Sequence, residues 1–160
     1  MELKPLSWDK HQLYKSFWKD LPSLFEIMVD LERNYMESED VKQLHNLGFV
    51  TYKGHRIPRV KEVLDAIQAM RPKDKCTAHI YISMFSFSET FGKHNDSSDV
   101  FYIQGTGKTD WIVEDEGTNY HYVLEEGDMI FVPRGYYHTP SPLSTRYGIS
   151  IGFDTHLQRV

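Results

Sequence analysis

Cysteine is almost missing from this chain, because Cys76 stands alone among 160 residues. A single cysteine cannot form an intrachain disulfide and cannot supply the several thiolates of a structural zinc site. Its isolation favours a reducing, cytoplasmic location. Long apolar runs are missing as well, since no stretch approaches the roughly 20 apolar residues that a membrane-spanning helix needs. The sequence therefore predicts a protein without a membrane segment or disulfide cross-links.

Positive charge is also in short supply, with 18 Lys and Arg against 23 Asp and Glu and a formal net charge of -5. Surfaces that bind nucleic acid are usually basic, so no nucleic-acid partner is expected. Internal repeats and low-complexity stretches are lacking. The hydrophobic content of 40% and the aromatic content of 14% are enough for a packed core. The length suits one domain that spans residues 1–160.

Residues 1–75 have mainly helical spacing. Apolar residues recur at three- and four-residue steps, which is the period of one helix face. Ser38 with two following acidic residues is typical of a helix start, and Gly48 of a helix end. Pro58 suits the first turn of a helix that ends before Pro72. The predicted elements are helices over 13–21, 24–35, 38–48 and 58–71 and a short strand over 49–52.

Residues 76–160 have the texture of short strands divided by glycine turns. The predicted strands cover 78–87, 100–104, 109–113, 120–124, 129–132 and 147–153. Many short strands without intervening helices favour an antiparallel barrel or a double-sheet jelly roll. The expected fold is therefore mainly β, with the N-terminal helices packed on one face of the barrel.

Two histidines and one aspartate form the strongest candidate site. His94 and Asp96 are two residues apart, so on a strand their side chains leave the same side of the sheet. His138 follows the predicted strand 129–132 and a Pro-Arg-Gly turn, so a second strand can bring it to the other two. Two imidazoles and one carboxylate are the donors of a facial site that holds a divalent metal and leaves coordination positions open.

The sequence around these residues resembles a known family. Residues 127–138 fit the second cupin motif: a glycine, five residues, Pro-x-Gly, two residues and a histidine. Residues 94–111 resemble the Jumonji-C-like branch of the cupins, especially its ribosomal-oxygenase-type hydroxylases. In that branch His-x-Asp is followed at similar offsets by an apolar strand, a Gln, a Gly and an aromatic residue. Residues 146–152 look like the last barrel strand of the same family.

This resemblance implies a double-stranded β-helix and an oxygenase that depends on Fe(II) and 2-oxoglutarate. Carried over position by position, His94, Asp96 and His138 become the iron ligands. The substrate implied is a side chain of a protein or peptide, with a small molecule equally allowed. A homodimer is a further expectation, because the helices of such proteins often contribute to dimers.

The residues that would hold 2-oxoglutarate depart from the family pattern. Relatives bind its distal carboxylate with a Lys or Arg at the position that is Thr109 here. Lys108 lies one residue early, which on a strand points it to the opposite face unless a bulge intervenes. Arg146 is the best substitute, because a guanidinium suits bidentate binding of a carboxylate, and it shares a phase with Ser150. Tyr102 can line the same pocket by alternation.

Two alternatives remain open at this level. The missing cation at Thr109 favours a metal-dependent cupin that does not use 2-oxoglutarate, such as a small-molecule dioxygenase or isomerase. A non-catalytic ligand-binding cupin is the other alternative. Asp99 competes with Asp96 as the acidic ligand, but its spacing suits a turn residue better. Trp111 is interpreted as a core anchor. Surface or structural roles are expected for the remaining histidines, which are His11, His45, His55, His79, His121 and His156.

Overall fold

The computed structural model describes residues 7–34 and 38–154. Its strands are β1 (Gln12–Tyr14), β2 (Val41–Leu44), β3 (Gly48–Thr51), β4 (Lys75–Ser83), β5 (Asp99–Gln104), β6 (Thr109–Asp115), β7 (Thr118–Leu124), β8 (Met129–Val132), β9 (Tyr137–Pro142) and β10 (Arg146–Asp154). Its helices are α1 (Leu24–Asn34) and α2 (Pro58–Met70), with short 3₁₀ turns at Ser38–Asp40 and Gly54–Arg56. Within the described ranges, no helix is long and apolar enough to cross a membrane.

The strands form two antiparallel sheets. The large sheet has the order β1-β8-β5-β10-β4-β3-β2, and the small sheet has the order β7-β6-β9. Alternation along β5 divides its side chains between two layers: Phe101 and Ile103 pack with the helices, whereas Val100 and Tyr102 pack with residues of the small sheet. The large sheet is therefore covered on both faces, as the predicted jelly roll with helices on one face requires. That prediction is confirmed.

Helix α2 covers one face of the large sheet. Pro58 occupies its first turn, where the missing N–H costs no helical hydrogen bond. Val60, Val63, Leu64 and Ile67 follow at helical spacing and are all buried in the core that lies against the sheet. Fully burying such a side chain stabilises the fold by roughly 1.5–3 kcal/mol. The helix predicted from this spacing is confirmed, and so is α1, although Tyr35 lies outside the described residues.

The helix predicted over 13–21 is wrong. Residues 12–14 form β1 instead, paired antiparallel with β8. Ser16 and Asp20 then adopt positive φ values of 50° and 63°, which a helix does not allow. The Asp128 carboxylate accepts hydrogen bonds from the Ser16 N–H at 2.9 Å and from Lys15 Nζ at 2.5 Å, so the chain turns at this point. The apolar residues of this segment recur at three- and four-residue steps because an extended chain packs its aromatic side chains against the core.

The helix predicted over 38–48 is also wrong, because a β-hairpin takes its place. Only the 3₁₀ turn at Ser38–Asp40 is helical, and β2 pairs with β3 across a turn in which Asn46 and Leu47 both have φ of 54°. Two successive residues with positive φ are the mark of a tight hairpin turn. The large sheet therefore draws three of its strands from the part of the chain predicted to be mainly helical.

Candidate metal centre

An antiparallel bridge brings the two histidines together. The His94 N–H donates to the His138 carbonyl at 3.0 Å, and the His138 N–H donates to the His94 carbonyl at 2.8 Å. The imidazole centroids consequently lie 4.4 Å apart. The Asp96 carbonyl accepts the N–H of Gly135 at 2.9 Å, which fastens the His-x-Asp segment to the turn before β9. His94 thus meets His138 in an isolated β-bridge, and Asp96 lies in the loop that follows the bridge. The two residues do not belong to one continuous strand, as was predicted.

The three side chains converge on one point. One ligand atom from each residue lies within 4.8 Å of the others. Asp96 Oδ2 is 3.2 Å from His138 Nε2 and 3.9 Å from His94 Nε2. The Nδ1 atoms face backbone carbonyls, that of Gly92 at 2.8 Å from His94 and that of Tyr136 at 3.0 Å from His138. A carbonyl only accepts, so each Nδ1 carries the proton and each Nε2 is left free as a metal ligand.

The carboxylate is poised to stay charged. Burial alone would raise the pKa of Asp96, but the surrounding imidazoles of His138, His94 and His79 together outweigh burial and lower that pKa. The donor set at neutral pH is therefore two imidazole nitrogens and one anionic oxygen. Such a set suits Fe(II), Mn(II) or Zn(II) and occupies one face of the ion.

A cavity of about 480 Å³ opens onto these ligands. Its walls come from the inward faces of β4, β5 and β10, from the 90–98 segment and from the small sheet. The lining residues are Tyr52, Thr77, His79, Tyr81, Thr90, Phe91, His94, Asp96, Ser97, Ser98, Val100, Tyr102, Trp111, His138, Pro140, Arg146, Ser150 and Gly152. The volume is within the usual range for a small-molecule site.

Arg146 brings a buried positive charge to the wall of this cavity. The residue is only 2% exposed. Its Nε donates to Ser83 Oγ at 3.0 Å, and its Nη1 donates to the Tyr102 hydroxyl at 2.7 Å. That hydroxyl donates in turn to Gln104 Oε1 at 3.2 Å. Ser150, four residues further along β10, lines the same cavity. The guanidinium is therefore held in a fixed orientation by neutral groups.

The other two candidates for the carboxylate contact lie elsewhere. The Lys108 side chain is 55% exposed and pairs with Glu125 at 3.1 Å, outside the cavity. The expectation that a bulge could turn Lys108 inward is wrong. Thr109 does face the barrel interior with Trp111, but its hydroxyl is covered by protein and does not line the cavity. Asp99 also stays away from the ligands, since its carboxylate pairs with Arg71 at 2.7 Å.

Several wall residues had no functional role in the sequence interpretation. His79 alternates with buried apolar residues along β4 and so faces the cavity, and this alternation was the available signal. Burial lowers the pKa of His79, more than the charge of Asp96 raises it, so its imidazole is neutral at pH 7. Trp111 is more than a core anchor, because its ring stacks on that of His138 at 5.0 Å and 24°.

Fold and site together define a cupin-type barrel with a candidate site for one metal ion. The JmjC domain family model matches residues 55–122 and 116–159. The chain belongs to this family. No curated protein matches the sequence significantly.

Solved structures give the same fold. The ribosomal oxygenase YcfD from Escherichia coli superposes with a TM-score of 0.74 at 19% identity, covering 91% of this chain and 48% of that one. The YcfD structure with cobalt and 2-oxoglutarate gives 0.73 at 18% identity, covering 96% and 50%. Bacillus subtilis oxalate decarboxylase, a Mn(II) protein, gives 0.51 at 14% identity, covering 74% and 28%. The chain spans about half the length of the YcfD structures that it matches.

Proposed function

We propose that this chain is an Fe(II)- and 2-oxoglutarate-dependent oxygenase that hydroxylates its substrate. One observation carries the proposal: the His94, Asp96 and His138 side chains share a cavity with the buried Arg146 guanidinium, which has no acidic partner among the described residues. A metal face alone is common to many cupins. Three metal ligands and a buried guanidinium on the walls of one cavity suit a co-substrate that chelates a metal at one end and carries a carboxylate at the other.

The metal half of the proposal rests on the donor chemistry. His94 and His138 present unprotonated Nε2 atoms, and Asp96 supplies the negative charge that favours a divalent cation. Both Nδ1–H groups are bound to backbone carbonyls, which fixes the ring orientations before any metal arrives. Three protein ligands on one face leave positions for 2-oxoglutarate and dioxygen.

The co-substrate half rests on Arg146. A guanidinium has five N–H donors, and two of them are used on Ser83 and Tyr102. No carboxylate forms an ion pair with it among the described residues. A buried charge without a counter-ion is costly, so such a site favours an anion with matching geometry. The distal carboxylate of 2-oxoglutarate is planar and binds a guanidinium through two parallel hydrogen bonds.

Bound iron and 2-oxoglutarate would together supply the oxidising chemistry of a hydroxylation. The protein residues hold and orient them. Arg146 would anchor the far end of the co-substrate, and the rigid His94–His138 bridge would keep the imidazoles in register. The ring of Trp111 packs against His138 and shields that side of the site from water.

The proposed substrate is a protein side chain, and the structural similarity to YcfD, a ribosomal oxygenase, supports this class over a small molecule. The cavity wall beyond the metal ligands carries several hydroxyl and aromatic side chains, which can hydrogen-bond and pack against an inserted side chain. We also propose a cytoplasmic location, on the strength of the single cysteine. The homodimer stays a prediction.

Consumption of 2-oxoglutarate tests the proposal. The purified chain with Fe(II), ascorbate and 2-oxoglutarate is expected to release succinate slowly without substrate, and the Asp96→Ala variant is expected to release none. Metal binding without measurable 2-oxoglutarate affinity would instead favour the metal-dependent cupin. Binding of neither would favour the non-catalytic module.

A further inference from the structure

A second hydrogen-bonded cluster, which includes the residue just before β1, lies at the hairpin of β6 and β7. His11 is buried there. Its Nε2 is 3.0 Å from Asp115 Oδ2, and its Nδ1 is 2.7 Å from the Tyr122 hydroxyl. A carboxylate only accepts hydrogen bonds, so Nε2 carries the ring proton and Nδ1 accepts from the phenol. The cluster is therefore an Asp-His-Tyr chain with a basic nitrogen aimed at a phenolic proton.

Trp111 is a neighbour of both this cluster and the metal centre. Tyr122 is the cross-strand partner of Trp111 on β6, so the two side chains leave the same face of the small sheet. Both belong to the apolar layer between the sheets. Trp111 stacks on His138 at a ring separation of 5.0 Å. Electron tunnelling weakens exponentially with distance, so a row of neighbouring rings is a favourable route for charge between the centre and Tyr122.

A purely structural role explains only part of the cluster. The His11–Asp115 contact fastens β1 to the hairpin, and this contact alone would serve as a staple. It does not require a phenol on Nδ1, nor a phenol next to the ring that stacks on a metal ligand. Burial raises the pKa of Tyr122, and the neighbouring Tyr120 and Asp115 add to the rise. The phenol therefore holds its proton at neutral pH until an oxidant removes an electron.

We propose that Tyr122 is a redox-active tyrosine that donates an electron toward the metal centre through Trp111. When a one-electron oxidant accepts the electron, the phenolic proton crosses the hydrogen bond to His11 Nδ1. The products are a neutral tyrosyl radical and an imidazolium ion, and the imidazolium is paired with the Asp115 carboxylate. The oxidant gains one electron, Tyr122 loses one electron and one proton, and His11 gains that proton.

The role in the cell rests on the proposed oxygenase function. An oxygenase that activates dioxygen without its substrate forms an oxidant at the metal centre with nothing to attack. A donor at the end of an aromatic row would reduce that oxidant and spare the metal ligands. The phenol would be restored by a cellular thiol or ascorbate, each of which returns one electron while His11 returns the proton.

The first experiment needs no metal. The full metal-free chain is mixed with a ruthenium polypyridyl sensitiser and persulfate, flashed and freeze-quenched, and the tyrosyl radical is measured by electron paramagnetic resonance. We expect a long-lived signal that is mostly lost in Tyr122→Phe. Tyr120→Phe is the matched control, because its ring also packs on His11 at 4.9 Å but its phenol does not bond to the imidazole. That variant should keep the signal.

His11→Gln separates proton acceptance from hydrogen bonding. Glutamine can accept the phenolic hydrogen bond but is not basic, so the radical yield should fall although Tyr122 is present. For a readout without substitutions, a spin trap on the flashed wild-type chain should give an adduct that mass spectrometry maps to residue 122. An adduct confined to other tyrosines, or an unchanged signal in correctly folded Tyr122→Phe, would overturn the proposal.

A second arm loads the wild-type chain with Fe(II) and 2-oxoglutarate and admits dioxygen without substrate. The same Tyr122 radical is expected. If the chain does not use 2-oxoglutarate, this arm stays silent while the flash experiment still yields the radical, so failure of the proposed oxygenase function and failure of the redox-active tyrosine are distinguishable. A loaded chain that consumes 2-oxoglutarate and never oxidises Tyr122 would contradict the electron route.

Discussion

Replacing Arg146 with methionine should weaken 2-oxoglutarate binding far more than removal of the exposed positive charge of Lys108. Methionine keeps most of the volume and removes the guanidinium. Each hydrogen bond between a charged pair contributes roughly 1.5–3 kcal/mol, so the loss of a bidentate contact should cost about 3 kcal/mol or more. That corresponds to an affinity loss of roughly 100-fold. Metal binding should be unaffected, because Arg146 contacts neither His94, Asp96 nor His138 through any hydrogen bond or ion pair.

Isothermal titration calorimetry with the Mn(II)-loaded protein measures this change directly. Lys108→Met is the matched control, since it removes the same charge from the exposed site beside Glu125. It should leave the affinity within the error of the titration. Arg146→Lys should recover part of the binding as a point charge without the planar fork. A Lys108→Met variant that loses 2-oxoglutarate while Arg146→Met retains it would refute the assignment of the anchor.

Three further substitutions test a metal ligand, a buried carboxylate and the packing of the barrel. Asp96→Ala should lose most of its Co(II) affinity in an absorption titration, because the centre loses its only anionic ligand, and unchanged affinity would contradict the ligand assignment. Burial raises the pKa of Asp128, but the bond from Lys15 and two backbone N–H groups outweigh burial and lower it. The carboxylate therefore stabilises the fold above its unfolded pKa of about 3.9, and this stabilisation is lost as the pH falls through the lower folded pKa. Urea unfolding should accordingly show a gap between wild type and Asp128→Asn at pH 7 that closes in acid, and a constant gap would exclude the mechanism. Gly148→Ala should lower the free energy of unfolding by about 1–3 kcal/mol, because the new methyl group would overlap the Tyr102 ring, and an unchanged melting temperature would count against that packing.

The barrel was predictable where each strand carries its own signal. Met129–Val132 is wholly buried and bounded by turn residues, and its predicted limits equal the observed ones. Strand β9 was missed, since Pro140 and Pro142 argue against a strand. Both prolines are accommodated because β9 is an edge strand, where no neighbour needs their missing N–H groups. Its existence depends on pairing with β6, which sequence periodicity does not record.

The N-terminal part was harder to predict, because its structure depends on distant partners. The segment after β1 turns at Ser16 because Asp128 captures its N–H, and these residues are 112 positions apart. The hairpin of β2 and β3 has Asn46 and Leu47 in its turn, where glycine is the residue that signals such a conformation. In both segments the apolar residues have helix-like spacing although the chain is extended, because their side chains pack against the core.

The site could be predicted where the position of a residue along a strand determines which face its side chain points to. Arg146 and Ser150 share a phase on β10, and both reach the cavity. His79 has the corresponding position on β4, directly across from Ser150, but a single histidine without ligand spacing gave no reason to select it. The tautomers of the two histidine ligands depend on backbone carbonyls, and only the folded chain places these.

The most direct test of the proposed iron and 2-oxoglutarate centre is the visible absorption of the protein under anaerobic conditions. Fe(II) that is chelated by 2-oxoglutarate in such a centre gives a metal-to-ligand charge-transfer band, whereas Fe(II) or 2-oxoglutarate alone does not. Wild-type protein should develop the band on addition of both, and Asp96→Ala should not. Protein that demonstrably holds Fe(II) at His94, Asp96 and His138 yet shows no band at saturating 2-oxoglutarate would contradict the proposed oxygenase.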